Sequence, residues 1–425
     1  MSKEIVKQIS QIVDEKRGDI IKFLQNLIRK QSVTGKEKEI QEFIVKKLAE
    51  MDLEIDQWEP DPNKLRQHPA YFSTFDSNQL DYENRPNVVG KFRGDGGKSL
   101  LFNGHVDVIP AEPKSAWTHD PWKGEIENGK LYGRGASDMK GGVAAMTMAL
   151  DCLLEAGIKP KGDVLLEYVV DEELTGFGTL SCVLRGYKAD AGISCEASDL
   201  EVQPAATGSM WYEILVKGKP ASMSRLWEGV SALDKGYKMA RAVSELQERR
   251  LKEKNHPLYP DPQGALACFV GKFEAGNYAS ALPTNCSIKG RMGVLPNEDP
   301  DAAKKEFMGY IKRSAAKDDW LKNEPPLARF TGYYAEPAEI PPEHPICEAL
   351  ASSSELMRGE KPVIKGHEGA TDARFLIKWG KTPTVIYGPG TIAQMHAQDE
   401  WIRVNDLLDS VKVMALTIVR WCGIK

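Results

Sequence analysis

Acids and histidines stand at five places in the chain where an apolar run or a glycine-rich loop ends. The first is the stretch LFNGHVDVIP, in which His105 and Asp107 close an apolar run typical of a buried strand. Residues two apart on a strand share a face, so the spacing predicts that these two side chains lie side by side. A carboxylate beside an imidazole fixes its tautomer, as it does around metal-binding histidines. The alternative is a core histidine bonded to a nearby carbonyl.

Four further stretches carry the same residue types. Asp138 lies in GRGASDMKGG, before a predicted helix, where a helix N-cap is the alternative. Three acids, Asp171 to Glu173, end the apolar run YVVDEE, and acids this crowded repel one another unless a cation or a shared proton compensates. The last two are Glu196 in GISCEASD and His396 in GPGTIAQMHAQDEWI, for which a solvated acid and a surface histidine are the alternatives.

Together these places supply two imidazoles and at least three carboxylates, with no cysteine among the donors. Donors of this kind suit zinc in a catalytic rather than a structural site. Five ligands are too many for one tetrahedral zinc, and they fit two metal ions about 3.5–4 Å apart that share a bridging carboxylate. The sequence therefore predicts two zinc ions per chain, with cobalt or manganese as alternatives.

These five places must meet in space, and the predicted fold brings them to one edge of a sheet. Residues 1–206 alternate amphipathic helices with short apolar strands, among them NVVGKF, SLLFNGHVDVI, DVLLEYVVDEE and DAGISCEA. That alternation predicts a mostly parallel α/β sheet. Because open α/β sheets bind ligands at the carboxyl ends of their strands, we expect the acids and the histidines to lie together there.

A different element order follows in residues 207–334. It reads strand (GSMWYEILVKGK), helix, strand (ALACFVGKF), strand (NCSIKGRMGVLP), helix and strand (PLARFTGYY), which is the βαββαβ order of a ferredoxin-like module. After Pro341 the α/β pattern returns, and it closes with a helix from Val404 to Trp421. We therefore predict an α/β protein with a discontinuous domain of residues 1–206 and 335–425 and a smaller domain inserted at 207–334.

The composition of the chain argues against several classes of protein. Of its 425 residues, 41% are hydrophobic and 28% charged, and the formal net charge is -5. These values exclude gross disorder and argue against a membrane span or a nucleic-acid partner, because long apolar and long basic runs are both missing. The N-terminus does not resemble a signal peptide, and the seven cysteines form no CxxC pair. We expect a reduced, cytoplasmic chain that acts on a small molecule or a peptide.

The stretches GHVDV, GRGASDMKGG, DEE, CEAS and MHAQDE, in this order around the insert, resemble the cocatalytic dizinc aminoacylase/carboxypeptidase family. That family includes acetylornithine deacetylase, succinyl-diaminopimelate desuccinylase and carboxypeptidase G, and the likeness covers essentially the whole chain. The resemblance implies a zinc-peptidase-like α/β catalytic domain, an inserted lid and dimerisation domain, and a homodimer. It also implies hydrolysis of the amide bond of a small N-acylated amino acid or amine.

The resemblance further implies a role for each residue of the five stretches. The implied metal ligands are His105 and Glu196 on one zinc, Glu173 and His396 on the other, and Asp138 as the bridge between the two. Asp107 then orients His105. Glu172 becomes the general base, which takes a proton from the attacking water and later delivers it to the leaving amine.

The insert departs from the family pattern at residues that contact substrate in relatives. Ser222, in GKPASMS, stands where relatives carry a lid histidine. Gly293 stands where relatives carry an arginine that clamps a substrate carboxylate, and the nearest arginine is Arg291. Arg374, in GATDARF, matches a substrate-contacting arginine of the desuccinylase. Ser222, Arg291 and Arg374 are therefore the candidate substrate-binding residues.

Several functions remain open at this stage. Arg291 and Arg374 favour an N-acyl amino acid as the substrate of a deacylase. The missing arginine at Gly293 and a missing asparagine at Ser280 favour an amine without a carboxylate, such as an N-formyl aminopyrimidine, for which deformylases of this family exist. A dipeptidase or carboxypeptidase with the same metal core is a further alternative. A non-catalytic relative is disfavoured, because Glu172 and every implied ligand are present.

Overall fold

The computed structural model describes residues 2–73 and 81–425. The α-helices are α1 (Lys3–Glu15), α2 (Arg17–Arg29), α3 (Lys38–Glu50), α4 (Pro62–Gln67), α5 (Gly141–Glu155), α6 (Phe177–Arg185), α7 (Ala232–Glu253), α8 (Pro300–Ala315), α9 (Pro345–Arg358), α10 (Ala373–Lys378) and α11 (Val404–Cys422). The strands are β1 (Glu54–Trp58), β2 (Asn87–Phe92), β3 (Leu100–His105), β4 (Ile126–Glu127), β5 (Lys130–Tyr132), β6 (Val164–Val169), β7 (Ala191–Ser194), β8 (Ala205–Ala206), β9 (Gly208–Lys217), β10 (Cys268–Ala275), β11 (Asn285–Val294), β12 (Leu327–Ala335), β13 (Ala338–Glu339), β14 (Thr384–Ile386) and β15 (Trp401–Arg403).

The larger sheet has six strands in the order β1-β2-β6-β3-β7-β14. Strands β6, β3, β7 and β14 run parallel, while β1 and β2 add an antiparallel edge. Every residue of β3, β6 and β7 is buried, as expected for parallel strands covered on both faces by helices. Their apolar runs are therefore continuous rather than alternating. Residues of the candidate site lie at or after the carboxyl ends of these strands.

Strand β3 is shorter than its apolar run predicts. It ends at His105, whereas the run SLLFNGHVDVI continues to Ile109. Beyond His105 the chain leaves the sheet, because the N–H of Val108 donates to the carbonyl of Ser32 in the loop after α2. Asp107 consequently lies past the end of the strand, where the period of two no longer fixes its direction.

The second sheet is antiparallel, with the order β10-β11-β9-β12. Helices α7 and α8 connect its strands and pack against it around a separate apolar cluster that includes Tyr212, Val243 and Phe307. Each helix begins at a residue that the sequence marks as an N-cap: Ser231 accepts from the N–H of Asp234, and Asp299 precedes a first-turn proline. This element order confirms the predicted ferredoxin-like insert in an α/β fold.

A small sheet, β15-β5-β4, joins two segments that are distant in sequence. Strand β15 pairs with β5, so the chain after His396 lies against the chain before Asp138. Helix α11 follows β15 and packs on α5 and α9. The pairing fixes the loops that carry His396 and Asp138 to one another. Among residues 2–73 and 81–425, none of the helices has both the length and the apolar character that a membrane span requires.

Candidate metal centre

Four of the predicted site residues lie at or just after the ends of three neighbouring strands. His105 is the last residue of β3, Glu172 and Glu173 follow β6, and Glu196 follows β7. Since β6, β3 and β7 are adjacent and parallel, their carboxyl ends meet at one edge of the sheet. The apolar strands thus carry three carboxylates and an imidazole to the same place.

A buried group of candidate ligands consists of His105, Asp138 and Glu196, whose ligand atoms lie within 4.8 Å of one another. His105 Nε2 is 3.1 Å from Asp138 Oδ1 and 3.8 Å from Glu196 Oε1. All three side chains are buried, so Glu196 is not the solvated loop acid that its sequence position allowed. An imidazole facing two carboxylates is a donor set that suits a divalent cation.

An open group of candidate ligands consists of Asp138, Glu173 and His396, again within 4.8 Å of one another. His396 Nε2 is 2.9 Å from Glu173 Oε2 and 3.2 Å from Asp138 Oδ2. His396 has a φ of 62°, which lies in the left-handed region. Non-glycine residues with this backbone conformation are uncommon, and they cluster at functional sites. Its side chain is 53% exposed, so this group faces the solvent.

Asp138 belongs to both groups and presents a different oxygen to each. Its Oδ1 faces His105, and its Oδ2 faces His396. The N-cap of α5 is Lys140, so Asp138 is not the helix cap that its sequence position allowed. A carboxylate with one oxygen toward each of two ligand groups has the arrangement expected of a bridge between two metal ions.

The acids of the site are crowded, and burial disfavours the charged forms of Glu172 and Glu196. Burial raises the pKa of Glu196 to about 8 and raises the pKa of Glu172 well above its ordinary value. Burial opposes the charge on His105, but the carboxylates of Glu196 and Asp138 outweigh it and raise the imidazole pKa. Bound divalent cations would compensate the negative charge of such a cluster. The oxygen and imidazole donors therefore fit two divalent metal ions.

Asp107 holds the site together through both its carbonyl and its carboxylate. The ring nitrogen Nδ1 of His105 is 2.9 Å from the Asp107 carbonyl oxygen and 3.6 Å from its Oδ1. Sequence reasoning assigned the orienting contact to the carboxylate, whereas the shorter contact is to the carbonyl, because β3 has already ended. The carboxylate instead accepts the hydroxyl of Thr34 at 2.8 Å. A proton on Nδ1 leaves Nε2 free to act as a ligand.

Glu172 lies beside the ligand groups. Its Oε2 is 3.9 Å from His105 Nε2, and neither of the two ligand groups found among the described residues includes it. The N–H of Glu172 donates to Asp107 Oδ1 at 3.1 Å, and the N–H of Glu173 donates to Asp107 Oδ2 at 3.3 Å. Asp107 therefore fixes the turn from which both glutamates extend. A carboxylate held beside the ligands, and not among them, is placed to exchange protons.

Glu400 is a site residue that sequence reasoning missed. Its fully buried carboxylate accepts the backbone N–H groups of Gly135, Ser137 and Asp138 at 2.9, 2.8 and 3.0 Å, and it pairs with Arg134 at 2.8 Å. The loop that presents Asp138 is thereby tied to the segment that follows His396. The sequence did contain one indication of Glu400, because it is an acid in the MHAQDE stretch that directly precedes an apolar strand.

We expect Glu400→Gln to weaken metal binding by roughly ten- to a hundredfold, the usual cost of losing a contact that orients a ligand. Glutamine keeps the size of the side chain but replaces one acceptor oxygen with an NH₂ group that faces other donors. Competition with a chromophoric chelator measures the dissociation constants. Asp399→Asn is the matched control, because the Asp399 carboxylate accepts the N–H groups of Thr118 and His119 rather than that of Asp138. Unchanged metal affinity in Glu400→Gln would contradict this role.

The three candidate substrate-binding residues occupy different settings. Arg374 is buried, and its two terminal nitrogens donate to the carbonyls of Thr371 and Thr175, both at 2.9 Å. Arg291 is partly buried on β11, and its Nε has no hydrogen-bond partner among the described residues. Ser222 caps an exposed turn, and its hydroxyl lies 3.0 Å from that of Ser224. Within one chain, no contact among the described residues joins Ser222 to the metal ligands, and the substrate roles of all three stay predictions.

The comparisons with known proteins agree on one family. The profile of Peptidase family M20/M25/M40 matches residues 101–420, which is more than half of the chain. An N-formyl-4-amino-5-aminomethyl-2-methylpyrimidine deformylase from Bacillus subtilis (strain 168) is 30% identical, over 97% of this chain and 97% of the relative. A succinyl-diaminopimelate desuccinylase from Rhodospirillum centenum is 28% identical, over 77% of this chain and 82% of the relative.

The fold also matches solved structures. The M20 family metallo-carboxypeptidase Sso-CP2 from Sulfolobus solfataricus superposes with a TM-score of 0.72 at 17% identity, over 95% of this chain and 99% of that chain. Human carnosine dipeptidase 1 gives a TM-score of 0.71 at 13% identity, over 98% of this chain and 99% of that chain. At these identities the likeness shows a shared fold.

Proposed function

The chain belongs to the peptidase family M20/M25/M40 and is a hydrolase that acts on amide bonds, and from this premise we propose that it removes the formyl group from a small N-formylated aminopyrimidine. The observation that carries the reaction is the Asp138 carboxylate, shared between two groups of ligands. The predicted reaction class is confirmed by the relatives. The N-formyl substrate rests on the deformylase that matches this chain over nearly its full length.

In this proposal two divalent metal ions occupy the centre, with zinc as the metal that its carboxylate and imidazole donors favour. His105, Asp138 and Glu196 would hold one ion. Asp138, Glu173 and His396 would hold the other. Bound there, the ions supply polarisation of the formyl carbonyl and lower the pKa of the attacking water. The protein supplies the geometry, because Asp107 and Glu400 orient the ligands before substrate arrives.

Glu172 acts as the general base and then as the general acid. It accepts a proton from water as the water oxygen bonds to the formyl carbon. The carbon–nitrogen bond then breaks, and Glu172 returns the proton to the amine nitrogen, so that formate and the free amine leave. Its position beside His105, outside both ligand groups, supports this assignment.

The contacts of Arg374 and the glycine at position 293 favour a substrate without a carboxylate. Arg374 already donates to two backbone carbonyls, so its terminal nitrogens are engaged before substrate binds. Gly293 stands at the position where relatives carry an arginine that binds a substrate carboxylate. An N-acyl amino acid is the second candidate, and the unpartnered Nε of Arg291 favours it. A carboxylate there would receive the missing hydrogen bond.

We expect kcat/KM for N-formyl-4-amino-5-aminomethyl-2-methylpyrimidine to exceed that for N-formyl and N-acetyl amino acids by at least about tenfold. A carboxylate buried without a dedicated partner costs about 1–3 kcal/mol or more, and 1.4 kcal/mol corresponds to tenfold. Steady-state kinetics on the zinc-loaded protein measure the ratio. A ratio below one, reversed by Arg291→Gln, would contradict this substrate and support the N-acyl amino acid.

We also propose a homodimer formed through residues 207–334, taken as one inserted domain. The edge strand β10 exposes Phe269 and Phe273, which are 51% and 38% accessible, and the neighbouring helix α7 exposes Leu233 and Tyr237, which are 44% and 61% accessible. An apolar edge strand beside an apolar helix face pairs readily with a second copy about a two-fold axis.

Sedimentation velocity should accordingly give twice the chain mass of 47.2 kDa. Combining Phe269→Glu with Tyr237→Glu should give a monomer, because the new charges would be buried unpaired at the interface. Leu356→Glu is the control, since Leu356 is also 50% exposed but lies on α9. A wild-type chain that sediments as a monomer at micromolar concentration would contradict the dimer.

We place the protein in the cytoplasm. All seven cysteines are unpaired and buried, which suits a compartment that keeps thiols reduced. A small-molecule substrate with no nucleic-acid or membrane partner is consistent with the relatives and with the net charge of -5.

A further inference from the structure

Strand β12 carries an irregularity next to the candidate centre. Its ladder with β9 is regular up to Phe330, opposite Tyr212, and resumes at Tyr334, opposite Met210. Between them Gly332 adopts a φ of +88°, a conformation that disfavours side chains. Residues 331–333 therefore leave the ladder. Bulges of this kind redirect a side chain, and they are common next to active sites.

The redirected side chain is that of Tyr333, and it lies near the proposed base. The charged groups that influence its phenol are Arg374, Glu172, Asp372 and Arg291, and burial raises the phenol pKa to about 12. The centre of the Tyr333 ring is 6.0 Å from the guanidinium carbon of Arg374. The hydroxyl therefore stays protonated at neutral pH.

Further aromatic rings extend this surface. The Tyr333 ring meets Phe72 edge-on with centroids 5.6 Å apart, and it lies 6.0 Å from the ring of Trp211. Phe72 in turn packs on Phe177, 5.0 Å away, at the start of the helix that follows Glu172. Tyr333 and Phe72 are half-buried, and Trp211 is 41% exposed. Rings from separate segments thus form one aromatic wall, made of Tyr333, Phe72, Trp211 and Phe177.

We propose that Tyr333 is a specificity-determining residue whose ring contacts a planar heteroaromatic ring of the substrate, on the amine side of the bond that is cleaved. The aromatic wall offers π-faces of the kind that hold nucleobases. This inference rests on the proposed function and names the chemistry that recognises the substrate.

The test compares Tyr333→Leu, Tyr333→Phe and Tyr334→Leu in the zinc-loaded full chain. Tyr334 is the matched control, because it stays in the ladder and its ring lies under the ammonium group of Lys304. Titration calorimetry measures binding of 4-amino-5-aminomethyl-2-methylpyrimidine, the amine product, and of cyclohexylmethylamine as a saturated-ring analogue. Kinetics on the two corresponding formamides measure the ratio of kcat/KM values. Tyr333→Met replaces Tyr333→Leu if the leucine variant does not fold.

Tyr333→Leu should weaken aminopyrimidine binding by roughly ten- to a hundredfold, the range for one lost aromatic contact to a base. It should also lower the aromatic-to-saturated kcat/KM ratio, while Tyr333→Phe and Tyr334→Leu stay within about threefold of wild type. The proposal would be overturned if Tyr333→Leu weakened binding of the aromatic and the saturated ligand equally, or changed neither. It would also be overturned if the wild-type protein did not bind the aminopyrimidine. Binding without deformylation would instead overturn the proposed function and leave the ring contact supported.

Discussion

Glu172→Gln should lower hydrolysis by roughly a hundred- to ten-thousand-fold, the usual contribution of a general acid or base. Glutamine has nearly the same shape, and the N–H contacts of this turn to Asp107 come from the backbone, so the fold and the ligand groups should persist. Stopped-flow or steady-state kinetics on the metal-loaded variant measure the loss. KM should change little, because the lost interaction belongs to proton transfer and not to substrate binding.

The metal content of the same variant separates the two glutamates of the turn. Glu173 Oε2 contacts His396, whereas Glu172 Oε2 is 3.9 Å from His105. We therefore expect Glu172→Gln to keep about two metal ions per chain and Glu173→Gln to lose one. If Glu172→Gln lost one equivalent and Glu173→Gln kept both, the roles of base and ligand would be exchanged.

Removing the metal should abolish activity and also destabilise the protein. Without cations, Glu172, Glu173 and Glu196 would crowd around Asp138 with only two imidazoles to compensate them. A metal present at a thousand times its dissociation constant stabilises the native state by about 4 kcal/mol per site. Dialysis against a chelator should lower the melting temperature, and adding zinc, cobalt or manganese should restore both stability and hydrolysis.

Two controls make the metal-removal experiment specific. Asp138→Ala, treated in the same way, should show no recovery on adding metal, because it lacks the carboxylate that faces both ligand groups. Calcium should not restore activity, since it prefers six to eight oxygen ligands and this site offers two imidazoles. Full activity of the chelated wild-type protein would contradict a metal-dependent reaction.

The fold and the position of the site were largely predictable from the sequence. Parallel strands need apolar residues on both faces, so the runs that became β3, β6 and β7 stand out, and the acids that follow them mark the strand ends. His396 has no such strand before it. The sequence grouped it with the other donors at the carboxyl edge of the sheet, with a surface histidine as the alternative, and the structure positions its loop through the pairing of β15 with β5.

Contacts that depend on where a strand ends were not predictable. The carbonyl of Asp107 contacts His105 because β3 stops at His105, whereas the period of two predicted a contact from the carboxylate.

Glu400 resembles many surface acids in sequence, and only its burial against the Asp138 loop distinguishes it. Tyr333 leaves the β12 ladder at a bulge, and the residue pattern GYY does not reveal which of two adjacent tyrosines does so.

We propose that one carboxylate, Asp138, joins two metal sites. Anomalous diffraction at the zinc absorption edge, from crystals of the zinc-loaded protein, tests it most directly. We expect two peaks per chain, one against His105 and Glu196 and the other against Glu173 and His396, with Asp138 between them. A single peak, or two peaks of which one lacks contact with Asp138, would contradict it.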